Sequence, residues 1–264
     1  MKAALRITAS VIAGCGTLLF SMLPVAAQRA ENSVAPGAGQ YGRDTTLLDD
    51  RRHGFQSIFN GKDLTGWDGN RELWSVRDGA ITGQTTPEHP AKVNTFLVWT
   101  NGVVADFELH CSFKIVPNSN SGFANSGIQY RSKIFDRANW VVGGYQADME
   151  AGPNYTGNLY EERMRGTIAD RGEKVLWDAE GKKHVLGSIG SAAEIEASIK
   201  KGDWNEYVIV ARGNHLQQWL NGKPTIDLTD EDTAHRALSG ILALQLHVGT
   251  PFTVQFKDIR LKKL

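Results

Sequence analysis

Leu242-Ala243-Leu244-Gln245-Leu246-His247-Val248 is the stretch on which the fold turns. Side chains two apart in an extended chain share a face. Leu242, Leu244, Leu246 and Val248 therefore point one way, and Gln245 and His247 the other. Such a segment is a strand with one face on a core and one polar face. Working outward, the same period recurs in Trp74–Arg77, Ala80–Gln84, Phe96–Trp99, Phe107–Ile115, Gly127–Arg131, Tyr145–Met149, Asn205–Arg212, His215–Leu220 and Thr253–Lys262. Asp78-Gly79 and Asn221-Gly222 lie between such runs and tolerate the positive φ of tight hairpin turns. One short helix is expected from Ser191 to Gly202. Ser191-Ala192-Ala193-Glu194 reads as a capping box, and Ile195 and Ile199 follow on one face. The sequence thus predicts an all-β, antiparallel sandwich with one short helix.

The chain of 264 residues suits one large all-β domain after a leader. It carries 29 Lys and Arg against 29 Asp and Glu, so a basic excess for nucleic acid or an anionic membrane is lacking. Residues 1–27 read as a signal peptide. Lys2 and Arg6 make the positive start, an apolar run follows, and Val25-Ala26-Ala27 offers small residues for cleavage. A second reading takes Ile12-Ala13-Gly14-Cys15 as a lipoprotein box lipidated at Cys15. Residues 28–53 are a polar leader, mobile or strapped over the domain, and 54–264 form the domain. The expected location is periplasmic or extracellular, without a transmembrane segment. With Cys15 removed, Cys111 stands alone, and its alternating surroundings make it a small core residue.

A set of phrases in fixed order carries a family resemblance. They begin with Gly54-Phe55-Gln56-Ser57-Ile58-Phe59-Asn60-Gly61-Lys62-Asp63-Leu64-Thr65-Gly66-Trp67 and Trp74-Ser75-Val76-Arg77-Asp78-Gly79. Asn125-Ser126-Gly127-Ile128-Gln129-Tyr130-Arg131 and Gly144-Tyr145-Gln146-Ala147-Asp148-Met149 follow. Trp219-Leu220-Asn221-Gly222, Leu244-Gln245-Leu246-His247 and Phe256-Lys257-Asp258-Ile259-Arg260-Leu261 close the series. In this order the chain resembles the 3-keto-disaccharide hydrolase domain family. The resemblance implies a concanavalin A-like jelly-roll sandwich acting on glycosides whose C3 is already a ketone. Many members carry Glu and Gln two apart after Gly-Tyr. Here those places hold Gln146 and Asp148, so the acid sits at the other position.

Face-sharing sorts the candidate site residues. Gln129 pairs with Arg131, Gln146 with Asp148 and Glu150, and Gln245 with His247. These pairs are expected to line the groove of the curved sheet, with Tyr145 and Tyr160 as sugar-contacting aromatics and a loop at Tyr160-Glu161-Glu162-Arg163 on the rim. The plain alternative is a polar face that is merely wet. His247 is the expected base, since imidazole titrates near neutrality; otherwise it is a structural histidine bonded to a backbone group. Asp148 would orient His247, act as base, or bind a metal; otherwise it pairs with Arg131 or Arg137. Arg131 would stabilise an enolate oxygen. Glu161 would be the acid for the leaving group, with Glu162 solvated.

The implied substrate suggests the mechanism. A C3 ketone acidifies the C2 proton, a base removes it, and the C1 bond breaks by elimination before water adds. No cluster has zinc spacing. A divalent ion on oxygen ligands from Asp148, Glu150 or Glu161 could polarise the ketone. Two other functions compete: an ordinary glycoside hydrolase with two essential carboxylates, and a non-catalytic carbohydrate-binding module on the same fold.

Overall fold

A computed structural model describes residues 53–264. The expected signal peptide, the Cys15 box and nearly all of the leader lie outside the described residues. The strands are β1 (Gln56–Ser57), β2 (Trp67–Asp68), β3 (Trp74–Arg77), β4 (Ala80–Gln84), β5 (Thr95–Trp99), β6 (Phe107–Pro117), β7 (Asn125–Asp136), β8 (Val141–Glu150) and β9 (Leu159–Glu162). They continue as β10 (Gly166–Ala169), β11 (Glu173–Trp177), β12 (Lys183–Ser188), β13 (Asn205–Arg212), β14 (His215–Leu220), β15 (Lys223–Asp230), β16 (Ile241–Leu246) and β17 (Phe252–Lys263). The larger sheet runs β12-β11-β15-β14-β13-β6-β17-β4-β3, with β1 on β17. The smaller runs β10-β9-β8-β7-β16-β5-β2. This is the expected all-β sandwich. Every pairing is antiparallel except β11 with β15, which is parallel.

The hairpins form where the turn residues lie. Asp78 and Gly79 have φ of 50° and 72°, and Asn221 and Gly222 have 49° and 80°. The helix α1 (Ala192–Ala197) is shorter than the sequence suggests. The Ser191 side chain caps it by accepting the Glu194 amide at 3.4 Å, and Ile195 buries its apolar face. Residues 161–190 read as one weakly periodic connection, yet they hold β10 to β12 and the end of β9. Their strands are short and half exposed, so period two is blurred by charge.

The core lies between the sheets. Phe107, Leu109, Cys111 and Phe113 of β6 meet Leu242, Leu244 and Leu246 of β16 within one apolar cluster. Cys111 is thus the core residue expected, and burial pushes its thiol far above the ordinary range. Among the described residues, no helix is long and apolar enough to cross a membrane.

Polar links also cross the sandwich. Gln218 donates to the Tyr130 hydroxyl at 3.0 Å, and the Tyr145 hydroxyl donates to Asp230 at 2.6 Å. Arg165 follows β9 in the smaller sheet. It bonds Glu161 at 2.5 Å, Asp230 at 2.5 Å and Asp232 at 3.3 Å, the last two at the end of β15 in the larger sheet. Its guanidinium also stacks on Trp177 at 4.7 Å. Burial works against its charge, but the hydrogen bonds to Asp230 and Glu161 outweigh that and raise its pKa. Removing it would leave three buried carboxylates without their cation. Arg165→Leu is expected to lose about 3–5 kcal/mol of stability, measured by urea denaturation at pH 7. A loss under about 1 kcal/mol would mean the ion network does not tie the sheets together.

Candidate active site on the outer face of the smaller sheet

The smaller sheet is rolled so far that distant strands touch. In sheet order β16 and β7 separate β5 from β8, yet the Phe96 amide donates to the Trp140 carbonyl at 3.0 Å. The Thr95 hydroxyl likewise donates to the Asn139 carbonyl at 3.0 Å. Phe96, Val98, Val142 and Ala243 fill the closed end on the outer face, with Ile134 and Ile241 packed against them.

Beside this plug the outer face turns polar without turning wet. Gln129, Gln146 and Gln245 are 0%, 2% and 1% exposed. That excludes the plain alternative of a solvated face. Gln129 and Gln146 are cross-strand partners, and Gln146 is paired with Tyr160 on the other side. Gln129 Nε2 donates to Gln146 Oε1 at 2.9 Å, and the Ser132 hydroxyl donates to Gln129 Oε1 at 2.6 Å. The Gln146 side chain lies across Gly127. A Cβ at that glycine would meet it at 2.4 Å, so a bare backbone is required there.

Asp148 is paired with Gly127 on the same face. Its Oδ1 accepts from the Met149 amide at 3.0 Å and from Asn125 and Gln146 at 3.5 Å each. Burial drives its carboxyl well above the ordinary value, and the Glu150 and Glu162 carboxylates add to that against the Met149 and Asn125 hydrogen bonds. Glu162 also faces this side. Asn94 donates to its Oε1 at 3.4 Å and Gln245 donates to its Oε2 at 3.2 Å. The result is a buried amide floor with two carboxyl groups in different surroundings: one desolvated, one held by two amide donors.

A family model for the 3-keto-alpha-glucoside-1,2-lyase-like domain matches residues 54–262. The chain belongs to this family. It is accordingly a carbohydrate-active protein. Among solved structures, a candidate glycosyl hydrolase from Parabacteroides distasonis ATCC 8503 is similar at 20% identity and a TM-score of 0.55, over 83% of this chain and 98% of its own. Carbohydrate-binding module CBM66 from Bacillus subtilis is similar at 15% identity and a TM-score of 0.49, over 76% and 98%. A Bacillus subtilis protein with a galectin-like fold is similar at 9% identity and a TM-score of 0.47, over 76% and 90%. At 20% identity the likeness to the Parabacteroides distasonis structure is one of fold. Among curated proteins none matches the chain.

Of the residues expected at the site, the family fold gathers Gln129, Gln146, Asp148, Tyr160 and Gln245 on one face. His247 lies one residue past β16 at the edge of that face, half buried. Its Nδ1–H donates to the Val248 carbonyl, and Phe123 packs edge-on at 5.6 Å. Asp148 does not orient it.

Three expected residues lie elsewhere. Arg131 does not share a face with Gln129, because the β7–β8 register shifts between Tyr130 and Lys133 and Arg131 takes a φ of 48°. It is turned toward the larger sheet, bonding the Ala105 carbonyl at 2.7 Å, the Gly213 carbonyl at 2.5 Å and Asp106 at 3.0 Å. Tyr145 belongs to the inner core, where its hydroxyl holds Asp230. Glu161 sits in the interior on Arg165. The stretch expected as a rim loop is strand β9, and alternation sends Leu159 and Glu161 inward and Tyr160 and Glu162 outward. Glu162, read as solvated, is the groove carboxylate that sequence reasoning missed. The period-two signal was present in Leu159–Glu162, but an inward Glu161 makes sense only once distant Asp230 and Arg165 are in place.

The oxygen ligands considered for a divalent ion do not converge. Glu161 is on the inner side, and Glu150 accepts the Tyr155 amide at 2.8 Å and the Asn154 amide within its own loop. Among the described residues no group of three or more His, Cys, Asp or Glu side chains is placed to hold a metal ion.

The desolvated Asp148 has a measurable consequence. It resists ionising when folded and ionises freely when unfolded, so stability falls as pH rises through its unfolded value. Asp148→Asn is expected to melt at a higher temperature than the wild type at pH 7. The gain should vanish as the pH drops below the ordinary value of 3.8, where both states are protonated. Melting curves from pH 3 to pH 8 check this, and a variant no more stable than wild type at pH 7 would refute it.

Proposed function

We propose that the protein is an exported enzyme that cleaves 3-keto-glycosides by removing the C2 proton and eliminating the group at C1. The observation that carries this reading is the pairing of a desolvated Asp148 with a buried amide floor and a half-buried His247 at its edge. With Nδ1–H committed to the Val248 carbonyl, the lone pair of His247 lies on Nε2, where a base is needed. The C2 proton passes to Nε2, and the electron pair develops negative charge on the C3 oxygen. The Gln146 amide, which leans toward Asp148 at 3.5 Å, supplies a fixed donor for that oxygen. Arg131, turned to the other side of the sheet, does not. The carbonyl then re-forms, C1=C2 forms, and the C1–O bond breaks. The departing oxygen takes a proton from Asp148, whose burial favours the neutral acid. Water adds across C1=C2 afterwards, and the net change is hydrolysis.

A second reading, the ordinary glycoside hydrolase, is favoured by one observation. Asp148 and Glu162 share the groove face in environments that differ, as an acid and a base do. Turnover separates the two. The full-length protein is given a chromogenic 3-keto-glucoside and its unoxidised parent, alongside His247→Ala and Asp148→Asn. Elimination predicts release from the keto sugar alone, with kcat reduced at least about 100-fold in His247→Ala. Release from the parent sugar would establish the ordinary glycosidase. Binding without release from either would leave a carbohydrate-binding module.

A further inference from the structure

In the proposed reaction the C3 oxygen of the sugar meets the Gln146 amide and the departing oxygen meets Asp148. That order fixes a direction along the groove. From Gln146 to Asp148, β8 runs toward the end at which Glu150 pairs with Asn125. Neighbouring β7 starts there, with Asn125 on the groove face donating to Asp148 at 3.5 Å. β16 finishes at the same end, where the Ser126 hydroxyl donates to the Gln245 carbonyl at 2.6 Å. A group leaving from C1 therefore extends past Asp148 toward Phe123, which lies just before β7 in the chain.

Phe123 is 36% exposed, and its ring stands edge-on to His247 with centroids 5.6 Å apart. A lone exposed phenylalanine on a turn is ordinary, but this one is held in place. Its amide donates to the Ser121 hydroxyl oxygen at 3.2 Å, the Ser121 hydroxyl donates to the Thr250 oxygen at 3.1 Å, and the Thr250 hydroxyl donates to the Phe123 carbonyl at 3.2 Å. The ring packs over Gly249, where a Cβ would meet it at 3.4 Å. The loop before β7 and the loop after β16 are thus one unit, which carries both the ring and His247. The hydroxyl protons of Ser121 and Thr250 are spent inside that unit. The ring accordingly offers a bound group an apolar face rather than donors for sugar hydroxyls.

We propose that Phe123 is a specificity-determining residue whose exposed face stacks on an aromatic leaving group, so that the protein takes aryl glycosides in preference to alkyl glycosides and disaccharides. The assignment rests on the reading of this face as the glycoside site, and it adds the chemical class of the group released. Paired aromatic rings gain beyond the area they bury, and a ring already fixed by its loop loses little freedom on binding.

The test gives the full-length protein 3-keto-glucosides with 4-nitrophenyl, methyl and glucosyl leaving groups, as wild type and as Phe123→Leu. Intrinsic leaving-group reactivity cancels when the variant is compared with wild type on the same substrate. Phe123→Leu keeps apolar bulk against His247 but loses the flat ring. It should lower kcat/KM on the aryl substrate by about tenfold, chiefly through KM, and on the methyl and glucosyl substrates by less than about threefold. An equal loss on all three would mean that Phe123 only packs against His247, and it would overturn the proposal, as would a larger loss on the glucosyl substrate than on the aryl one. Titration calorimetry with unoxidised phenyl and methyl glucosides reads the stacking without turnover. If wild type prefers the phenyl glucoside by about tenfold, Phe123→Leu abolishes that preference and no keto sugar is turned over, the aromatic subsite stands and the elimination reading falls. Turnover of the keto sugars with equal binding of the phenyl and methyl glucosides would leave elimination standing and remove the subsite.

Discussion

The roll of the smaller sheet is the constraint on which the rest depends. Once Phe96 and Thr95 bond the backbone at Trp140 and Asn139, the outer face of that sheet is no longer a surface. It has a dry closed end packed with aliphatic side chains and a neighbouring polar floor. Polar groups withdrawn from water must be hydrogen-bonded or be costly. Gln129, Gln146 and Ser132 meet that demand among themselves. Gln245 meets it only partly, since its Oε1 has no protein partner.

Both faces of one sheet are therefore buried, and each has its own polar chemistry. On the inner side, Arg165, Glu161, Asp230 and Asp232 form a closed set of charges between the sheets, steadied by Tyr145. On the outer side, Asp148 and Glu162 have amide neighbours. A one-residue change of register in β9 would exchange Glu161 with Glu162. It would also turn Leu159 out of the apolar core, so the packing of β9 specifies which glutamate the groove receives.

The fold was legible because its signals are local. The alternation of Leu242–Leu246, the Asn221-Gly222 turn and the Ser191 cap each act over a few residues, and each appears where the sequence places it; Val248, expected on the core side, lies past the strand and is exposed. Within the site, Gln129, Gln146, Asp148 and Gln245 were legible for the same reason, since period two assigns a face. Arg131 was misplaced because a bulge with positive φ interrupts the period. Tyr145 was misplaced against the same rule: it alternates with Gln146 and so faces the core, where its hydroxyl meets Asp230, 85 residues away in sequence.

By itself the sequence determined that this protein is an all-β sandwich with amide-rich strands, because side-chain alternation and turn conformation are properties of neighbouring residues. Only the tertiary structure decided which glutamate faces the groove, which arginines are spent in the interior, and that the polar face is dry. Those outcomes come from charges and strand edges far apart in the chain, brought together by the roll of the smaller sheet.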